Sequence, residues 1–149
     1  MIYPVDGKNV LAAPTGGRVY ACLGKNGLYV REEGVRGTEN VHYVDDDTIK
    51  FSDKTDGTGS RPVNAVFVED YDSFKEYGYI YVANGVCLTV LNYNTLETVA
   101  DFTLGKDSDG SANYVYVVKD PNSETNDRIV TVAYGQEGVK VLRFTPPAK

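Results

Sequence analysis

The sequence predicts an all-β protein built from about three copies of one strand-rich unit. Three observations carry that reading: the composition, a repeat of about 50 residues, and a glycine-turned hairpin that recurs in each copy. Twelve Tyr, no Trp and fifteen Gly among 149 residues, together with many Val and Thr, suit pleated, half-buried surfaces joined by tight turns. A chain of this length makes one domain, 1–149, with units at about 1–60, 61–110 and 111–149.

In the first unit the hairpin runs from Val19-Tyr20-Ala21-Cys22-Leu23 through a turn at Gly24 to Gly27 into Leu28-Tyr29-Val30. A polar, acidic stretch, Glu32 to Ser60, follows. Its strand-like parts are Asn40 to Val44 and Thr48 to Phe51, read as a hairpin with Asp45-Asp46-Asp47 at the tip, so the outer strands of this unit depart from the pattern.

The second and third units open alike, with Asn64-Ala65-Val66-Phe67-Val68 and Asn113-Tyr114-Val115-Tyr116-Val117, 49 residues apart. Sixteen residues beyond each Asn lies a second strand, starting at Ile80 in one unit and Ile129 in the other. Asn84-Gly85 then turns the chain into Leu88 to Leu91, and Gly135 to Gly138 turns it into Val139 to Leu142, the pattern of a β-hairpin. A fourth strand, Thr98 to Phe102, completes the second unit. Four short antiparallel strands at this spacing match β-propeller-like blades, and Tyr79 to Ala83 and Tyr114 to Val118, apolar on both faces, suit sheets covered on both sides. Three such blades do not close a ring. The expectation is a partial propeller completed by further blades of a parent chain, with completion by a homo-oligomer, or an open array with the exposed edges that natural proteins avoid, as the alternatives. Met1, directly before the strand-like Ile2-Tyr3, is read as an addition to a segment of a longer chain.

Tyr81-Val82-Ala83-Asn84-Gly85, Leu88-Thr89-Val90-Leu91, Asn94 to Val99 and Leu104-Gly105 resemble the YVTN-type propeller repeat. The hairpins Tyr20 to Val30 and Val132 to Leu142 are similar to the related LVIVD-type repeat. The resemblance spans most of residues 18–144. It implies a propeller-like blade and an exported bacterial protein, periplasmic or at the cell surface, and it implies no particular reaction.

Chemistry is sparse. Fifteen Lys and Arg against 21 Asp and Glu, a net charge of −6, disfavour nucleic acid and anionic membrane, whose binding rests on basic residues. No run reaches the roughly 18 apolar residues of a membrane span, and the N-terminus lacks the form of a secretion signal. His42 is the only histidine and falls in a strand-like alternation, so no catalytic residue is assigned. Asp107 and Asp109, in Asp107-Ser108-Asp109-Gly110, are the weak candidates for a metal, although this turn and Asp53 to Gly57 lack the spacing of a calcium loop. No cofactor is expected. Cys22 and Cys87 allow at most one internal disulfide and sit in apolar runs where free cysteine acts as a small hydrophobe. Tyr79, Tyr81, Tyr114 and Tyr116 lie within strands and are assigned to packing, whereas Tyr71 and Tyr77, in the insertion 69–77, are the binding candidates. The functional expectation is a non-catalytic binding or scaffold domain that recognises a protein or glycan through its inter-strand loops. The alternative is part of a propeller enzyme, a lactonase or glycan hydrolase with its site near the central channel.

Overall fold

A computed structural model describes residues 2–4, 18–32, 48–49, 51, 61–76, 78–106 and 110–148. Among these the chain is all-β, with antiparallel sheets and a single turn of α-helix. The first sheet takes its strands in chain order as β1 (Ile2–Pro4), β2 (Arg18–Cys22), β3 (Leu28–Glu32) and β4 (Thr48–Ile49). The second runs β5 (Val63–Val68), β6 (Tyr79–Asn84), β7 (Cys87–Asn92) and β8 (Thr98–Thr103), with α1 (Tyr71–Phe74) between its first two strands. The third holds β9 (Ala112–Lys119), β10 (Arg128–Tyr134) and β11 (Val139–Phe144). Each sheet is an up-and-down meander of sequential neighbours. The described end of the acidic stretch, β4, pairs with β3 through Leu28↔Ile49; the partner expected at 40–44 lies outside the described residues.

The sheets stack in chain order. β5 lies against β9 on one side and against β1 and β2 on the other. Side chains alternate across a strand with period two, and the second sheet uses both sets. Val66, Val68, Ile80, Val82 and Leu91 pack with Tyr20, Leu28 and Val30 of the first sheet. Ala65, Phe67, Tyr81, Ala83, Leu88 and Val90 pack with Val115, Val117, Val130, Val132 and Tyr134 of the third. The unbroken apolar run Tyr79 to Ala83 is thus a strand covered on both faces.

The junctions between sheets repeat as well. In the tight turn of each hairpin stands a left-handed glycine: Gly24 at φ 57°, Gly85 at 52° and Gly135 at 48°. A side chain with a Cβ is disfavoured there, so glycine is required by the turn itself. The Gly24 carbonyl accepts from the Val63 N–H at 2.9 Å, and the Gly85 carbonyl accepts from the Ala112 N–H at 2.7 Å. The first two hairpin turns thereby receive the first residue of the next sheet's first strand.

Two sequence expectations need correction. Ile129 is not the counterpart of Ile80. Val68 pairs with Ile80 while Val117 pairs with Val130, because the β9–β10 connection is one residue longer than its counterpart. A slip of one residue exchanges the faces of a strand, so Val130 and Val132 fill the core and Ile129 points the other way. The second correction concerns Tyr114 to Val118. Val115 and Val117 are buried, but Tyr114, Tyr116 and Val118 are not, so among the described residues the third sheet is covered on one face only.

Candidate interaction surface

The loop between β5 and β6 shows how the site is positioned. Asp70 accepts the Ser73 N–H on its carboxylate at 2.7 Å and the Phe74 N–H on its carbonyl at 3.0 Å, the cap that starts a helical turn. That turn folds the loop back and drops Phe74 into the core between the second and third sheets.

Beneath it lies a charged cluster whose Arg128 and Glu69 side chains are fully buried. Arg128, at the start of β10, donates from Nε to Glu69 Oε1 at 2.8 Å and from a terminal nitrogen to Glu76 Oε1 at 3.0 Å. It also donates to the Asn126 carbonyl and lies over the Phe74 ring at 5.5 Å. Tyr81 donates to Glu69 Oε1 at 2.7 Å. Burial works against the Arg128 cation, but the hydrogen bonds and charge of Glu69 outweigh it and hold the guanidinium above its ordinary pKa. Burial first, then the Glu69 charge, lifts the Tyr81 phenol well above its usual range. Glu69 follows the second sheet's first strand and Arg128 opens a strand of the third, so this pair fastens the two sheets at one end.

The repeat departs from itself at this point. Register places Gly78 where the third unit has Arg128, and a Cβ on Gly78 would stand 2.8 Å from Glu69 Oε2. Glycine leaves the space that the carboxylate occupies. Glu69 and Arg128 are not legible as a pair in the sequence: 69–77 reads as a loop carrying tyrosines, and the repeat spacing aligns Gly78 with Asp127, so the exchange of Gly78 for Arg128 emerges only from the strand register.

At the opposite end Asn64 makes the corresponding tie. Its amide donates to Ser111 Oγ and to the Ala112 carbonyl, both at 2.9 Å, the backbone-capping role such a side chain favours. Asn113, its counterpart in the third sheet, is exposed.

Between these two fastenings the outer face of the third sheet is open. Register aligns Tyr116 with Thr131 and Val141, Tyr114 with Ala133 and Val139, and Val118 with Ile129 and Arg143. Val141 is 66% exposed, Val139 62%, Tyr116 53%, Tyr114 51% and Val118 42%. Leu23 is the only other large apolar residue so exposed among the described residues. An antiparallel sheet with a wet face ordinarily puts polar residues on it, and a contiguous apolar patch marks an interaction site. A half-open pocket of about 390 Å³ adjoins this face, lined by Phe67, Asp70, Ser73, Phe74, Tyr116 and Lys119 among others. Tyr116 belongs to both the pocket and the face, and its ring meets Phe67 edge-on at 5.6 Å.

The residues singled out from sequence fall elsewhere or outside view. Tyr71 is the first residue of α1, while Tyr77, His42, Asp107 and Asp109 lie outside the described residues. Tyr114 and Tyr116, assigned to packing, are the aromatic residues the open face presents. Cys22 and Cys87 are free thiols, and burial pushes the Cys22 thiol up. Among the described residues no three metal-ligating side chains cluster, and no helix is long and apolar enough to cross a membrane.

No protein-family model, curated protein or solved structure matches this chain. The fold itself defines the class: among the described residues, an all-β protein of stacked antiparallel meanders whose last sheet has an uncovered apolar face.

Proposed function

We propose that the chain is a non-catalytic scaffold and binding domain of the propeller type, each sheet acting as one blade, with the outer face of the third sheet as its docking platform. The observation that supports this is the concentration of five of the six exposed large apolar side chains among the described residues on that one face. Large aromatic and β-branched surfaces of this kind gain their binding energy when a partner removes them from water. The expected partner is a protein surface, because a flat row of Tyr and Val offers area rather than the convergent polar groups that fix a small molecule.

Replacement of Tyr116 and Val141 by Lys tests the platform. In chemical unfolding, at a chain concentration low enough that the midpoint no longer depends on it, Tyr116→Lys and Val141→Lys are expected to change stability by no more than about 0.5 kcal/mol each, as surface substitutions do. A loss of at least about 2 kcal/mol, the cost of burying a polar group without a partner, would mean that the chain itself covers this face, and the proposal would fail.

A further inference from the structure

We infer that the open face of the third sheet is covered by the first sheet of a second copy of this chain, so that two chains close a ring of six sheets. The inference rests on the platform proposed above and names its occupant.

The argument starts from equivalence within the repeat. The exposed Tyr114, Tyr116, Val139 and Val141, with the half-buried Thr131 and Ala133, occupy the register positions that in the second sheet belong to Ala65, Phe67, Tyr81, Ala83, Leu88 and Val90. Those six residues form the second sheet's side of its contact with the third. The open face is therefore the one on which the preceding sheet receives its successor.

Two of the fastenings of that contact, the glycine turn and the asparagine, recur as well, while Val118 stands where the second unit has Glu69. Gly135 has the left-handed backbone of Gly24 and Gly85, whose carbonyls accept the first N–H of the following sheet; the Gly135 carbonyl instead accepts the Gly138 N–H of its own turn at a longer 3.3 Å. Asn113 stands where Asn64 ties the second sheet to the third. A sheet arriving on this face would meet the same acceptor and the same amide as at the internal junction.

The complementary surface is at the other end of the stack. In the second sheet, Val66, Val68, Ile80 and Val82 face the first sheet. Register places Ile2, Pro4, Val19 and Ala21 at the equivalent positions of the first sheet, and all four are apolar. Ala21 is partly exposed. One end of the stack thus offers the receiving face, and the other end the residue types that fill it. Such a head-to-tail contact makes a ring only if the rotation closes. Three sheets fall short of the 4–8 that propeller rings contain, whereas two copies supply six. A twofold pair then places the first sheet of each copy on the open face of the other.

The test is solution mass by light scattering on the 149-residue chain, with circular dichroism as the check on folding. The expected mass is twice 16.3 kDa. Val139→Lys with Val141→Lys on the receiving face, and separately Ala21→Arg on the filling face, are each expected to retain the β spectrum and weaken pairing at least tenfold. Mixing the two variants is expected to recover pairing in part, since each then supplies the intact face that the other lacks. A single-chain mass for the unaltered protein up to millimolar concentration, a mass that climbs without limit, or lysine variants that pair normally would each overturn the inference. A single-chain mass with Lys substitutions that cost no stability would leave the platform standing and remove only this occupant. Substitutions that unfold the chain would remove the platform itself.

Discussion

Arg128 and Glu69 are both fully buried, and their worth depends on each other. A buried pair stabilises little against a well-packed apolar pair, yet removing one partner strands the other charge in the core and costs about 3–5 kcal/mol. Glu69→Gln is therefore expected to lower unfolding stability by about 3 kcal/mol in a urea titration, a penalty that Glu76 relieves only in part because it contacts a single guanidinium nitrogen. If Glu69→Gln shifts stability by less than about 1 kcal/mol, the pair does not fasten the sheets. Asp127 makes a second, pH-dependent contribution. Its carboxylate accepts from Thr125 Oγ1 at 2.6 Å, and this bond, ahead of the weaker pull of Arg143, holds the acid below its ordinary pKa. With the folded pKa lowered, the unfolded chain binds more protons on the acid side. The stabilisation is present above the unfolded value, about 3.9, and disappears as pH falls through the lower folded value. Asp127→Asn is expected to flatten the acid limb of the stability profile below about pH 4, read from midpoints of thermal unfolding at successive pH values. An unchanged limb would assign the acid sensitivity to other carboxylates.

Among the elements, the hairpin turn carries the repeat. Gly24, Gly85 and Gly135 share a left-handed φ, and the first two also connect successive sheets. A Cβ at Gly85 would sit 3.4 Å from the Arg61 Cβ, whereas one at Gly24 would meet nothing within 4 Å. Both substitutions carry the left-handed penalty of about 1–2 kcal/mol, and Gly85→Ala adds crowding against Arg61. Arg61 in turn is fixed by Asp101 at 3.1 Å, and Asp101 accepts from Thr89 at 2.9 Å. Gly85→Ala is accordingly expected to lower the thermal midpoint further than Gly24→Ala; equal shifts would show that the turn conformation alone sets the cost. The one-residue difference between the β5–β6 and β9–β10 connections belongs to this scale as well. It preserves the inward face of β10 only because the strand register moves with it.

At the scale of the whole molecule, three meanders laid face to face give a stack with two distinct ends. The second sheet, covered on both sides, contributes to both apolar clusters, and the charged and amide ties at its two ends hold it against the third. The third sheet repeats the receiving face of the second without a described occupant. That asymmetry supports the platform proposed for this chain, and the Lys substitutions at Tyr116 and Val141 ask whether the molecule tolerates charge there.

The sequence by itself determined the strand content, the hairpins and their glycine turns, because period-two apolar alternation and left-handed turns are local properties of the chain. The doubly covered second sheet was legible for the same reason in Tyr79 to Ala83. The face that Ile129 takes was not legible, since a matching Ile-to-Ile spacing cannot reveal an added residue in a loop; only strand pairing decides it. Nor was the exposure of Tyr114 and Tyr116, whose apolar neighbours read as those of a buried strand although no sheet lies against them among the described residues. The Glu69–Arg128 pair joins residues 59 apart, and burial of that kind depends on which strands meet in space.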